Sequence, residues 1–188
     1  VAALLHDLVE DTSISLDEIK KEFGEDIATL VDGLTKLTQI KYEAKRNVEY
    51  IRKMLVSSTK DVRIILIKLA DKLHNMRTVK YLEESKIKRT CRETLYVYAP
   101  LAHKLGMASI KDELEDLSFK YLHPTMYQKF KEKFGKRKIS RENEIKKIIS
   151  IIDKKLKEQG INASILGRAK HFYSVYKKMI EKNRSFEE

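Results

Sequence analysis

A mainly α-helical protein is what this sequence predicts, and three observations carry the prediction. Only 6 glycines and 2 prolines interrupt 188 residues, 36% of which are charged. Apolar residues recur at helical spacing, as at Val48, Ile51, Met54 and Leu55. The β-branched run with strand-like composition, Ile64-Ile65-Leu66-Ile67, continues without a breaker into Lys72-Leu73-His74-Asn75-Met76-Arg77-Thr78. A single cysteine, Cys91, excludes a disulfide framework and suits a reducing cytoplasm. No apolar stretch reaches the ~18 residues a membrane helix needs, and no signal peptide is visible.

In chain order, Ser15-Leu16-Asp17-Glu18 is a capping box that opens a helix ending near Gly24. Residues Glu25 to Leu37 form a second amphipathic helix, interrupted or ended around Gly33, and Tyr42 to Ser58 a third. Asp61 to Thr78 reads as a buried helix of more than four turns. Helix continues through Ser85 to Tyr98, and Pro100 marks a start or a kink. Ile110 to Phe119 is helical, and His123-Pro124 breaks the chain. Residues 126–159 form long basic helices that stop at Gly160, a left-handed cap. The texture then changes: Ile161 to Leu166 is a short strand candidate, and Gly167 turns into a helix from about Lys170 to Glu181. Two domains are expected, 1–123 and 124–188. The chain opens on Val1 and closes on Phe186-Glu187-Glu188, so it reads as a piece of something longer.

Charge is unevenly shared. Residues 1–40 hold nine acids against three lysines, a net −6, so the remainder carries +17 of the overall +11. An acidic head fits cation binding, and a basic body fits a polyanion such as a nucleotide or nucleic acid. The stretch 129–147, with nine Lys/Arg against three Glu, leaves three readings open: nucleotide steering, ribosome contact, or plain surface.

The chemistry-bearing pattern begins at His6-Asp7, followed one turn later by Glu10-Asp11. On a helix His6 and Glu10 share a face, as do Asp7 and Asp11. The apolar run Val1 to Leu5 predicts burial, and buried carboxylates predict a divalent cation or a tight cationic partner. A second cluster, Asp71, Asn75 and Thr78, lies on one helical stripe with His74 and Arg77 beside it. Asp71 is placed to meet His6-Asp7 across a core. One imidazole and two carboxylates suit a borderline-hard ion such as Mn²⁺. The competing structural reading is an Asp, Asn and Arg network that only caps or staples helices. Near the C-terminus, Lys170, Ser174 and Lys178 stand at i, i+4 and i+8 after Gly167-Arg168. A helix N-terminus with Arg168 and these lysines would cradle a triphosphate, whereas the plain reading is a basic solvated face.

Together these runs resemble the RelA/SpoT family, whose hydrolase domain belongs to the HD superfamily of metal-dependent phosphohydrolases. The matching stretches are HDLVEDT (6–12), ILIKLADKLHNMRT (65–78) and YAPLAHKLGMASIKDELEDLSFKYLHP (98–124). The run from Gly167 to Met179 is similar to the start of the family's synthetase domain, with Ala169 where the family has Pro. The resemblance implies a helical HD bundle, further helices, and the first strand-helix unit of an α/β synthetase domain. It implies removal of pyrophosphate from the 3′ position of guanosine tetra- and pentaphosphate (ppGpp, pppGpp), and synthesis of these alarmones from ATP and GDP or GTP. His6, Asp7 and Asp71 match Mn²⁺ ligands. Glu10 and Asp11 match the acidic pair that handles protons and positions water, and Asn75 and Thr78 match nucleotide contacts. Arg168, Lys170, Ser174 and Lys178 match the ATP-phosphate run. The synthetase's Mg²⁺-holding acids and any ribosome-contacting C-terminal region would lie beyond residue 188.

One departure stands out. The family places a further metal-binding His and a basic pair ahead of the HD motif, while none of the five residues before His6 is His, Arg or Lys. His74, His103 and His123 occupy positions with other roles. The expectation is therefore an enzyme region impaired in both reactions as it stands. The alternative is a nucleotide-binding, regulatory module of the same family. A different HD phosphohydrolase, such as a nucleotidase, is disfavoured by the 98–124 and 167–179 runs.

Overall fold

The computed structural model describes residues 1–38, 61–135 and 138–183, together with Glu49 and Ile51; side chains are described outside 135–142. Among the described residues every regular element is helical. The helix expected at Tyr42 to Ser58 lies outside the described residues, apart from those two positions. The chain divides into two compact units, Val1–Leu122 and His123–Glu188.

The first unit begins with two single-turn helices, α1 (Ala2–Leu5) and α2 (Leu8–Asp11). Helix α3 (Leu16–Phe23) follows, and its N-terminus is closed reciprocally. Ser15 Oγ accepts from the Glu18 amide, while the Glu18 carboxylate accepts the Ser15 amide at 2.7 Å. Gly24 ends the helix at φ +87°, a backbone setting that L side chains rarely adopt. Helix α4 (Glu25–Thr38) then runs straight through Gly33, contrary to the expected interruption. A Cβ at Gly33 would fall well inside contact distance of Ile64 Cδ1, so the glycine is there for close approach, not for a break.

Helix α5 (Val62–Thr78) is the buried helix of the sequence reading. Asp61 caps it by accepting from the Arg63 amide at 2.8 Å, and the Arg63 guanidinium ties that cap to Asp26 in the first turn of α4. This guanidinium holds both carboxyls below the usual carboxylate range. Ile64, Ile65, Leu69 and Met76 bury one face of α5. A 3₁₀ turn (Val79–Tyr81) leads to α6 (Glu84–Glu93), a π-helical turn (Thr94–Tyr98), α7 (Ala99–Lys104) and α8 (Ala108–Leu122). The π turn sits where Pro100 lacks an amide and its ring would crowd the carbonyl of Tyr96, so widening the helix there relieves the clash. Lys72 is buried beside it, with Nζ 2.7 Å from Glu93 Oε2 and 4.6 Å from the Tyr98 ring centre.

Within this unit α4 packs against α1, α2, α3 and α5, and α8 packs against α5, α6, the π turn and α7. Helix α5 therefore lies between two layers, with Asp71 near its middle.

The second unit contains α9 (Pro124–Gly135), α10 (Lys138–Glu158) and α11 (Phe172–Glu181). Phe130 is fully buried, with the rings of Phe134, Phe172 and Tyr176 at 5.6, 6.4 and 6.2 Å. Gly160 ends α10 in the left-handed region, at φ +74°. The strand expected at 161–166 is not formed: residues 161–171 carry no regular structure. A strand needs a ladder partner, and no partner strand exists among the described residues. Gly167, expected to turn into a helix, does not take a positive φ. A Cβ there would approach Ile145 Cγ2 to 2.8 Å, so it too is a close-packing glycine.

Candidate metal centre

The helix expected across His6, Asp7, Glu10 and Asp11 is broken at the first pair. α1 stops at Leu5, and Asp7 (φ −94°, ψ −6°) restarts the chain as α2, its carbonyl accepting from the Glu10 and Asp11 amides at 3.1 and 2.9 Å. The predicted burial is also corrected. Val1 and Leu4 are exposed, as are Asp7, Glu10 and Asp11, and only Ala2 of the opening run is buried. Solvent, not a buried counter-charge, therefore stabilises most of these carboxylates.

What is withdrawn from solvent is the His6 imidazole. Its Nδ1 lies 2.9 Å from the Ala3 carbonyl oxygen. A carbonyl can only accept, so Nδ1 carries the hydrogen, and Nε2 is the ring nitrogen left to take a proton or a cation. That Nε2 is buried and makes no hydrogen bond among the described residues. Asp7 Oδ1 and Asp71 Oδ1 stand 3.1 and 3.5 Å from it. Three electron-rich atoms at this spacing repel one another unless a proton or a cation lies among them. Each of these two distances from Nε2 matches that between neighbouring donors around an ion with bonds of ~2.1 Å. A nitrogen and two carboxylate oxygens form a borderline-hard donor set suited to a divalent ion.

Asp71 is the junction of the centre. Its Oδ1 also accepts from Asn75 Nδ2 at 2.9 Å, and its Oδ2 lies 3.1 Å from Lys68 Nζ. Thr78 turns its hydroxyl back onto the carbonyls of His74 and Asn75, each at 3.3 Å. Asn75 and Thr78 are otherwise exposed on the stripe that begins at Asp71. Arg77 takes no part: it pairs with Glu113 on α8 at 2.6 and 2.9 Å, and holds that carboxyl below its ordinary range. Of the network in the competing reading, the Asn75–Asp71 bond is present, while Arg77 pairs with Glu113 and not with Asp71. The carboxylates of Glu10 and Asp11 make no hydrogen bond or ion pair among the described residues. His74 and His103 are exposed side chains of α5 and α7.

Lys68 was missed by the sequence reading. Its signal was one cation inside the apolar run Ile64 to Ala70, three residues before Asp71. In the second unit, α11 begins at Phe172, so Lys170 precedes the helix and only Ser174 and Lys178 share its stripe. Arg168, Lys170 and Lys178 are exposed.

A histidine-aspartate pair on a helix break, facing an aspartate of a buried helix, defines a class. The chain belongs to the HD-domain family, whose model matches residues 1–108, and this fold serves metal-dependent hydrolysis. Its similarity then extends along the whole chain. It is 46% identical to a GTP pyrophosphokinase of Streptomyces coelicolor, covering 100% of this chain and 22% of the relative. It is 44% identical to a guanosine-3′,5′-bis(diphosphate) 3′-pyrophosphohydrolase of Haemophilus influenzae, covering 99% and 28%. It is 45% identical to the bifunctional (p)ppGpp synthase/hydrolase SpoT of Escherichia coli, covering 99% and 27%. These matches support the RelA/SpoT resemblance seen in the motifs. The chain spans about a quarter of the length of these curated relatives.

Proposed function

We propose that this chain carries the hydrolase centre of an alarmone-metabolising enzyme, which releases pyrophosphate from the 3′ position of guanosine tetra- and pentaphosphate. The observation that carries this reading is the buried, unpartnered His6 Nε2 facing carboxylates from two separate segments. His6, Asp7 and Asp71 would hold a divalent cation, Mn²⁺ by the resemblance, which offsets phosphate charge and makes a water easier to deprotonate. Glu10 and Asp11 take the proton from the attacking water as it bonds to the phosphorus on the 3′ oxygen. That P–O bond breaks, the 3′ oxygen gains a proton, and GDP or GTP leaves with pyrophosphate. Asn75 and Thr78, one and two turns along α5 from Asp71, line the approach and hold the nucleotide.

For the whole protein we propose a second activity, pyrophosphate transfer from ATP to GDP or GTP, on the strength of the relatives named GTP pyrophosphokinase. Arg168, Lys170, Ser174 and Lys178 would serve the ATP phosphates, with Mg²⁺ as the cofactor. Residues 1–123 and 124–188 then divide between the two chemistries.

The test is pyrophosphate release from guanosine tetraphosphate by the 188-residue chain in Mn²⁺. Release that falls at least ~100-fold in Asp71→Ala supports the hydrolase reading. Nucleotide binding by calorimetry with no release would instead identify a regulatory module.

A further inference from the structure

The residue whose placement the proposed hydrolysis does not yet explain is Lys68. It lies in the core-facing stretch of α5, its side chain only 12% exposed. Desolvating an ammonium is unfavourable unless it gains partners, and Lys68 has two among the described residues. Its Nζ is 3.1 Å from Asp71 Oδ2 and donates to Thr38 Oγ1 at 3.2 Å. Thr38 is the last residue of α4, and its own hydroxyl donates to the Leu34 carbonyl at 3.2 Å. That bond spends the hydroxyl hydrogen and leaves an oxygen lone pair for Lys68. A continuous relay therefore runs from the end of α4 through Thr38 and Lys68 to Asp71.

The two oxygens of Asp71 consequently have different duties. Oδ2 is held by Lys68, while Oδ1 faces His6 Nε2 and the Asn75 amide. We propose that Lys68 is a positioning residue of the metal centre, which fixes the Asp71 carboxylate so that Oδ1 alone is offered to the cation. The role rests on the metal reading of the site given above. Lys68 acts through Asp71, whose Oδ2 it holds. A lysine near a cation also repels it, and the two effects have opposite signs in a binding measurement. Orientation dominates here because Lys68 is anchored at both ends, and partners that hold a ligand in place typically govern 10–100-fold of metal affinity.

The experiment is Mn²⁺ binding to the full chain, followed by the free-ion paramagnetic resonance signal and by calorimetry, without substrate. Lys68→Met is expected to weaken binding about 10-fold or more, and Lys68→Arg to recover it to within about threefold. Thr38→Val, which removes only the far anchor, is expected to cost about two- to threefold. Lys68→Met binding as tightly as the parent, or more tightly, would overturn the proposal and show the lysine to be a repelling charge. An Arg variant no better than Met would also overturn it. Should Lys68→Met fail to fold by circular dichroism, Thr38→Val decides: unchanged affinity contradicts the relay, and a loss supports it. Absence of Mn²⁺ binding in the parent chain would sink the metal reading itself, and the positioning role with it.

Discussion

Asp71 and Cys91 show how differently α5 and α6 treat a titratable side chain. Asp71 is kept within reach of the polar side chains of His6, Lys68 and Asn75, whereas Cys91 is fully buried in the apolar cluster of the first unit. Burial pushes the Cys91 thiol up from 9.0 to about 11, against a smaller opposing pull from the Lys72 ammonium. The unfolded thiol therefore loses its proton first as pH rises. This group leaves stability unchanged below about pH 9 and erodes it between there and about 11. At pH 8, iodoacetamide should label Cys91 only after unfolding in urea. Equal labelling rates in native and unfolded protein would contradict its place in the core. At this scale the sequence was partly legible. Asp71 stood out as an oxygen ligand in an apolar helix, but Lys68 was overlooked because a single lysine in such a run resembles a snorkelling surface side chain. The burial expected around His6 failed for a similar reason: an apolar run of five residues does not reveal which of its faces is covered.

Among the elements, the crossing of α4 and α5 sets the geometry beneath the centre, and Gly33 permits it. Gly33→Val should overpack Ile64, and we expect a loss of about 2–3 kcal/mol by urea denaturation, with α-helical content retained. A neutral or stabilising effect would mean that α4 and α5 are not in close contact there. Alanine is less informative, since its better helix propensity, worth about 1 kcal/mol over glycine, offsets part of the clash. Glycine was the weakest signal along the chain. Gly24 and Gly160 do end helices at positive φ, but Gly33 and Gly167 serve close packing, and one letter does not distinguish the two uses. The Ser15–Glu18 capping box was readable because its chemistry is local. The break at His6–Asp7 was not, because an i,i+4 pattern survives in two short helices flanking a kink. The strand expected at 161–166 failed because a short segment does not by itself supply a partner strand.

For the whole molecule, the two compact units assign the acidic head and the basic stretch to different bodies. Residues 1–40 lie in the first unit and 129–147 in the second. No helix among the described residues is long and apolar enough to cross a membrane. The helical class was legible from composition and periodicity, since few breakers and sustained 3.6-residue spacing leave little room for a sheet. The meeting of distant segments, α1–α2 with α5, was suggested by chemistry rather than by any local rule, for periodicity says nothing about which helices touch. The central claim is that this meeting forms one cation site. The most direct measurement is the stoichiometry of Mn²⁺ binding to the chain and to its Asp71→Asn variant, read by calorimetry at neutral pH. A single ion bound through His6, Asp7 and Asp71 is expected, with that binding lost in the variant; equal binding by both proteins, or none by the parent, would rule out the site.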